Sequence, residues 1–295
     1  MALSTFQIWL LAVRPRTLAA AVAPVVIGSA MAGEWGAFSL LPALAAMFGA
    51  VMIQIGTNFA NDYFDFKSGA DRHKRLGPTR VTQAGLVKPE IMKRAIVIAF
   101  TLAIAAGLYL VWRGGWPILI IGLLSIIAGI LYTAGPYPLG YNGLGDIFVL
   151  VFFGPVAVGG TFYVQALTLE IPIVLLAGLA PGLFSVAILT VNNLRDIAGD
   201  TATGKRTLAV RFGRTFSIIE YISSVVIACV IPLLLFILTG RHPYTLLTML
   251  VPFVAFPSIR QILTSSEGSV LNDILSATGR LLLLYSVIFS IGWQL

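Results

Sequence analysis

Charge is scarce in this sequence. Asp, Glu, Lys and Arg together make up 11% of its 295 residues, against about 25% in a typical soluble domain. That is too little to cover the surface of one or two soluble domains. Cysteine is nearly absent: the single Cys229 excludes an intrachain disulfide and any Cys-cluster metal site. It lies in an apolar run and reads as an inert core thiol. The two histidines, His73 and His242, have no ligand partner at useful spacing. No Walker A, Gly-x-Gly-x-x-Gly or zinc motif is present, which leaves no sign of a nucleotide loop or a zinc centre.

What the chain has instead is hydrocarbon, with 58% hydrophobic residues. Apolar runs lie at about 17–33, 40–61, 93–112, 115–133, 146–164, 172–192, 216–238, 244–262 and 278–294. Each is long enough, or nearly so, to cross about 30 Å of hydrocarbon as a helix rising about 1.5 Å per residue. The pattern predicts an all-α integral membrane protein with about nine transmembrane helices. Run eight is the weakest, because Pro252 and Pro257 interrupt it. Residues 3–13, with Phe6, Trp9 and Leu10, read as a short amphipathic entry helix at the interface. Arg14 and Arg16, the apolar stretch after them and Ala30-Met31-Ala32 imitate a signal peptide; an uncleaved first helix is the simpler reading.

The net charge of +7 does not point to nucleic acid, because the basic residues lie between the apolar runs. With a cytoplasmic N-terminus, only Arg113 and Arg241 of the 19 Lys and Arg fall outside. This is the positive-inside bias, and it predicts a multi-pass protein of the cytoplasmic (inner) membrane with its polar connections facing the cytoplasm. Two connections, 62–92 and 193–215, are the long polar segments. Each follows a helix rich in Asn and Asp, four helices apart. That spacing predicts one transmembrane domain over 1–295, built as a four-helix repeat (17–133 and 146–262) plus a ninth helix (278–294).

The first cluster contains Asn58, Asn61, Asp62, Asp65 and Asp71; the second contains Asn192, Asn193, Asp196 and Asp200. Five of the 12 acidic residues fall in these two stretches, which scattered solvation of loops would not produce. Asn61 and Asp65 are i,i+4; Asn192, Asp196 and Asp200 continue i,i+4,i+8. On a helix such side chains share one face. Stacked carboxylates at the negative end of a helix dipole need a positive partner. Local Lys and Arg are one candidate. Mg²⁺ is the other, held by one or two carboxylates per site and completed by water and phosphate oxygens. The oxygen-only donor set favours Mg²⁺, and acids within membrane segments are functional by default. Lys67, Arg72, Lys74, Arg75 and Arg80 follow the first cluster; Arg195, Lys205 and Arg206 lie in or after the second. Carboxylates with metal, ringed by Lys and Arg, make a diphosphate site. Asp146 reads as a cap of the fifth helix, and Gly154 to Gly160 as close helix packing.

Asn61-Asp62-x-x-Asp65 with Asp71, and Asn192-x-x-x-Asp196-x-x-x-Asp200, resemble the two Asp-rich motifs of the UbiA superfamily of intramembrane prenyltransferases. The stretches 77–80, 132–140, 143–146, 153–165 and 204–211 resemble the members that prenylate 1,4-dihydroxy-2-naphthoate in menaquinone synthesis. Asp71 departs from the common pattern, lying six residues after Asp65 rather than four. The resemblance implies nine helices around a central cavity, a polyprenyl diphosphate donor, an aromatic acceptor and Mg²⁺. It implies that Asn61, Asp65, Asp71, Asn192, Asp196 and Asp200 hold metal and diphosphate. Lys67, Arg72, Arg80, Arg195 and Lys205 would neutralise the leaving group. Tyr132 would touch the diphosphate or the allylic cation; as an interfacial aromatic it has an equally simple structural role. Two other readings stay open: a sister enzyme acting on hydroxybenzoate, homogentisate or a porphyrin-type ring, and a transporter. The transporter would favour ionisable groups near the midplane of inverted repeats. The sequence leaves oligomeric state and prenyl length unspecified.

Overall fold

The computed structural model describes residues 3–69, 77, 79–168 and 172–295. Asp71, Arg72, Lys74 and Arg75, all basic-loop or metal candidates, lie outside the described residues. Every described element is helical: α1 (Thr5–Val13), α2 (Pro15–Glu34), α3 (Leu40–Ser68), α4 (Pro89–Gly114), α5 (Trp116–Leu131), α6 (Gly145–Val151), α7 (Ala157–Ala166), α8 (Pro172–Ala202), α9 (Leu208–Thr239), α10 (Val251–Thr264) and α11 (Gly268–Gln294). Eight spans are long and apolar enough to cross a membrane, with α6 and α7 counted as one, and α5 is a shorter apolar helix. Each of the nine apolar runs therefore corresponds to a helix.

The boundaries follow local chemistry. Pro15, Pro89, Pro117 and Pro252 sit in first turns, where a missing N–H costs nothing and the fixed φ suits the helix. Ser4 and Gln7 form a reciprocal capping box at the start of α1. Gly115, at φ 71°, makes the one-residue reversal between α4 and α5; a side chain would be strained in that left-handed backbone. In the fifth span, Pro155 lacks the N–H for the ladder and Gly154 adopts non-helical angles, so Phe152–Val156 forms a π-helical turn between α6 and α7. Gly178 and Gly182 of α8 give that turn room: a Cβ on Gly182 would lie 2.5 Å from the Leu150 carbonyl oxygen. The Gly-rich stretch is thus close packing, as its composition predicts.

Three expectations need correction. The polar connections are shorter than 62–92 and 193–215, because α3 continues to Ser68 and α8 to Ala202. Polarity there marks the end of the hydrocarbon rather than the end of the helix. Run eight is a 3₁₀ segment, Pro243–Leu250, joined to α10. Of the entry-helix aromatics, Phe6 is exposed, but Trp9 turns inward and packs edge-on against Phe59 at 5.6 Å.

Helices α2, α7, α8, α9, α10 and α11 share the larger buried cluster, which includes Phe162, Phe184, Tyr221, Tyr285 and Phe289. Cys229 is buried in it. By contrast, α4 and α5 turn long apolar faces outward, including Val97, Ile98, Leu102, Ile120 and Leu124, as lipid-facing helices do. The helices reverse alternately. Glu34, Arg113, Arg241 and Trp293 therefore share one end, where Arg241 pairs with Glu34 at 2.8 Å and His242 stacks on Trp293 at 4.0 Å. The ends of α3 and α8 share the other.

Candidate active site

A cavity of about 630 Å³ runs between α2, α3, α4, α5, the α6–α7 span and α8. Along α3 it is lined from Ala46 to Asp65, about 28 Å of helix at about 1.5 Å per residue. Most of the wall is small or aliphatic: Ala21, Val25, Gly49, Ile53, Gly107, Val111, Gly122. Its polar end holds Asn61, Asp65, Arg80, Tyr132, Tyr141, Asn192, Arg195, Asp196, Asp200 and Lys205. The two acidic clusters, 131 residues apart at Asp65 and Asp196, meet there.

Asp65 is the hub, 1% exposed. A buried carboxylate is costly unless it is paired, and three loops each send it a donor. Arg80 donates from the α3–α4 connection, and the Tyr141 hydroxyl donates from the α5–α6 connection. Lys205, after α8, reaches it at 3.5 Å. The same ammonium lies 3.6 Å from Asp200 and 4.4 Å above the Tyr141 ring. One side-chain cation therefore bridges the carboxylates of the two helices. Burial first, then the charge of Asp65 and its hydrogen bond, hold the Tyr141 phenol well above its usual range, so it stays a donor.

The second helix arranges its own cluster. Arg195 donates to Asp196 through Nε at 2.9 Å and Nη2 at 2.6 Å. It also donates to Asn192 at 2.7 Å and to Asn272 of α11 at 2.7 Å. Its side chain is fully enclosed, so it orients the ligand face of α8 as well as lining the cavity. Asn61 accepts from Thr133 at 2.9 Å. Tyr132 ends α5, and its ring fills space left by Gly140 and Gly145, with its hydroxyl against Gly145. Asp200 is helical and lines the cavity with Asp196.

Some candidates stand apart. Lys67 is exposed and does not line the cavity. Asp62, in the same motif as Asp65, accepts the backbone N–H groups of Val81 and Thr82 at 3.1 and 3.0 Å. It fixes the turn that carries Arg80. Asn58 donates to the Val13 carbonyl at 2.9 Å and to Thr17 at 3.2 Å, fastening α3 to the α1–α2 joint. Tyr141 and Asn272 were not visible as candidates, because neither belongs to a periodic motif and both act across long sequence separations.

The donor set fits Mg²⁺. It is oxygen only, from carboxylates and amides, and a cation already stands between Asp65 and Asp200. Among the described residues no group of three His, Cys, Asp or Glu side chains is placed to hold a metal ion without other donors.

The model of the UbiA prenyltransferase family matches residues 21–273 of the chain. The chain is 39% identical to the 1,4-dihydroxy-2-naphthoate octaprenyltransferase of Escherichia coli (strain K12), over 98% of this chain and 96% of that one. It is 35% identical to the Mycobacterium tuberculosis protein of the same name, over 97% and 96%. Its fold resembles a UbiA homolog from Archaeoglobus fulgidus bound to GPP and Mg²⁺, with a TM-score of 0.68 at 16% identity, covering 98% of this chain and 100% of the other.

Proposed function

The chain belongs to the UbiA prenyltransferase family, and from that membership we propose that it transfers a polyprenyl group from polyprenyl diphosphate to 1,4-dihydroxy-2-naphthoate, releasing diphosphate and CO₂ in menaquinone synthesis. The observation that carries the reading is the convergence of Asp65, Asp196 and Asp200, with Arg80 and Lys205, at the polar end of a long apolar cavity. The choice of acceptor rests on the E. coli and M. tuberculosis relatives.

Asn61, Asp65, Asn192, Asp196 and Asp200 would hold Mg²⁺, with Asp71 completing the first motif. When bound, Mg²⁺ supplies Lewis-acid and electrostatic stabilisation of the departing diphosphate. Arg80 and Lys205 neutralise the charge that develops on the leaving group. Arg195 keeps Asn192 and Asp196 on one face. Tyr132 and Tyr141 bound the point where the polar end meets the apolar wall. That wall excludes water from the allylic cation, and the small residues along α3, α4 and α5 leave room for the tail. The electron-rich naphthalene ring attacks the cation, the new C–C bond forms, and loss of CO₂ restores the aromatic ring.

The reading places the protein in the cytoplasmic membrane, N-terminus inside, with the polar end of the cavity facing the cytoplasm. The basic residues gathered at that end support it. Packing of α3 on α4 and of α8 on α9, the second and third spans of each half, supports a four-helix repeat.

The test offers purified protein in detergent radiolabelled polyprenyl diphosphate with 1,4-dihydroxy-2-naphthoate, 4-hydroxybenzoate or homogentisate in turn. A lipid-soluble naphthoquinol from the first alone is the expected result. Product from hydroxybenzoate instead would keep the chemistry and remove the naphthoate. No product from any acceptor would remove the enzyme.

A further inference from the structure

We infer that Lys205 is a latch that couples metal binding to diphosphate binding. Its ammonium joins Asp65 to Asp200 until a divalent cation takes that place, and it then turns to the diphosphate. The inference rests on the function proposed above and adds an order and a linkage to it.

Four observations support it. Both ion-pair separations, 3.5 and 3.6 Å, exceed the 2.7–2.9 Å or so of a tight charged hydrogen bond, so the ammonium is shared rather than committed to either acid. The two acids come from different helices, α3 and α8, so this cation offsets the repulsion between the halves. The Lys205 backbone is pinned: its N–H donates to the Asp200 carbonyl at 2.9 Å, and the next N–H donates to the Tyr141 carbonyl at 2.6 Å. Only the side chain is free to swing. Finally, the ring of Tyr141 lies under the ammonium at 4.4 Å, a face that tolerates a cation moving across it.

Mg²⁺ binds oxygens at about 2.0–2.1 Å. A divalent ion held by Asp65 and Asp200 would draw both carboxylates inward and displace the ammonium, since two cations cannot share the gap. Arg80 still holds Asp65 through the exchange. The displaced ammonium needs an anion in a partly desolvated cleft, where it is 12% exposed. A diphosphate provides one. Metal alone thus binds against the latch, whereas metal with diphosphate binds with it. By linkage the enhancement is reciprocal.

The test measures Mn²⁺ binding to the full-length protein in detergent by electron paramagnetic resonance, with free Mn²⁺ buffered, with and without inorganic diphosphate. For the native chain, diphosphate should tighten Mn²⁺ binding roughly tenfold or more. Lys205→Met should bind Mn²⁺ alone about fivefold or more tighter than the native chain, and the enhancement by diphosphate should fall below about threefold. Lys205→Gln serves as the second variant if the first fails to fold. Lys93→Gln, which removes an exposed charge at the start of α4 outside the cavity, should keep the native enhancement; if it matches Lys205→Met, the effect is general charge and the latch is overturned. Unchanged or weaker Mn²⁺ binding in both Lys205 variants also overturns it. Absence of Mn²⁺ binding to the native chain would remove the metal-dependent function itself, a separate outcome.

Discussion

At the scale of single residues, one motif holds carboxylates with opposite duties. Asp65 faces the cavity and its cations, while Asp62, three positions earlier, faces two backbone amides. The i,i+4 spacing of Asn61 and Asp65, and of Asn192, Asp196 and Asp200, made the cavity-facing set legible from the sequence, because helical periodicity fixes which side chains share a face. The task of Asp62 was hidden, since its partners lie 19 and 20 residues away. Arg195 read as a leaving-group cation, yet its fork is engaged by Asn192, Asp196 and Asn272, a geometry only the packed α8–α11 pair creates. These duties separate by mutation. Asp65→Asn, Asp196→Asn and Asp200→Asn should each lower turnover roughly a hundredfold or more, with helix content retained by circular dichroism. Chelation by EDTA should abolish turnover, and added Mg²⁺ should restore it. Asp62→Asn should lose less turnover and more stability, about 1–3 kcal/mol, since a buried amide N–H loses its acceptor. Near-native turnover in two of the first three variants, or indifference to EDTA, would discard the metal-held diphosphate.

At the scale of elements, the apolar runs located the eight spans and the shorter α5 among the described residues, because crossing the bilayer demands a nearly unbroken apolar stretch. They failed at the ends and at one middle. Helices α3 and α8 run past the hydrocarbon to Ser68 and Ala202, carrying the acidic clusters on continuous helix. The fifth span breaks at Gly154-Pro155, where hydrophobicity says nothing but backbone chemistry does. The contact that tolerates this break is narrow. Gly182→Ala would place a methyl 2.5 Å from the Leu150 carbonyl oxygen, and overpacking of this kind costs about 1–3 kcal/mol. Gly107→Ala, on α4 with open cavity beside it, should be neutral or stabilising by up to about 1 kcal/mol. Thermal denaturation of the two variants in one detergent checks this; a larger loss for Gly107→Ala would show that the α8 contact is not the tight one.

For the whole molecule, the distribution of Lys and Arg predicts an orientation, and the alternate reversal of the helices puts the ends of α3 and α8 on one side of the bundle. What the composition left hidden was convergence: nothing in either cluster says that Asp65 and Asp200 share one ammonium. Orientation is open to direct test. Phe38→Cys, exposed in the α2–α3 connection, should react with a membrane-impermeant thiol reagent added to intact cells. Ser266→Cys, between α10 and α11, should react only after permeabilisation; native Cys229 is buried and should stay silent. The reverse pattern would invert the protein in the membrane. If the two helix clusters form one diphosphate centre at the polar end of the cavity, metal and diphosphate must sit together there. The most direct measurement is a structure of the protein with Mn²⁺ and an unreactive prenyl thiodiphosphate, read by anomalous scattering. Mn²⁺ should appear between the carboxylates of Asp65 and those of Asp196 and Asp200, with the prenyl tail along Ile53 and Val111. Mn²⁺ on one cluster alone, or diphosphate bound at the Glu34–Arg241 end, would contradict it.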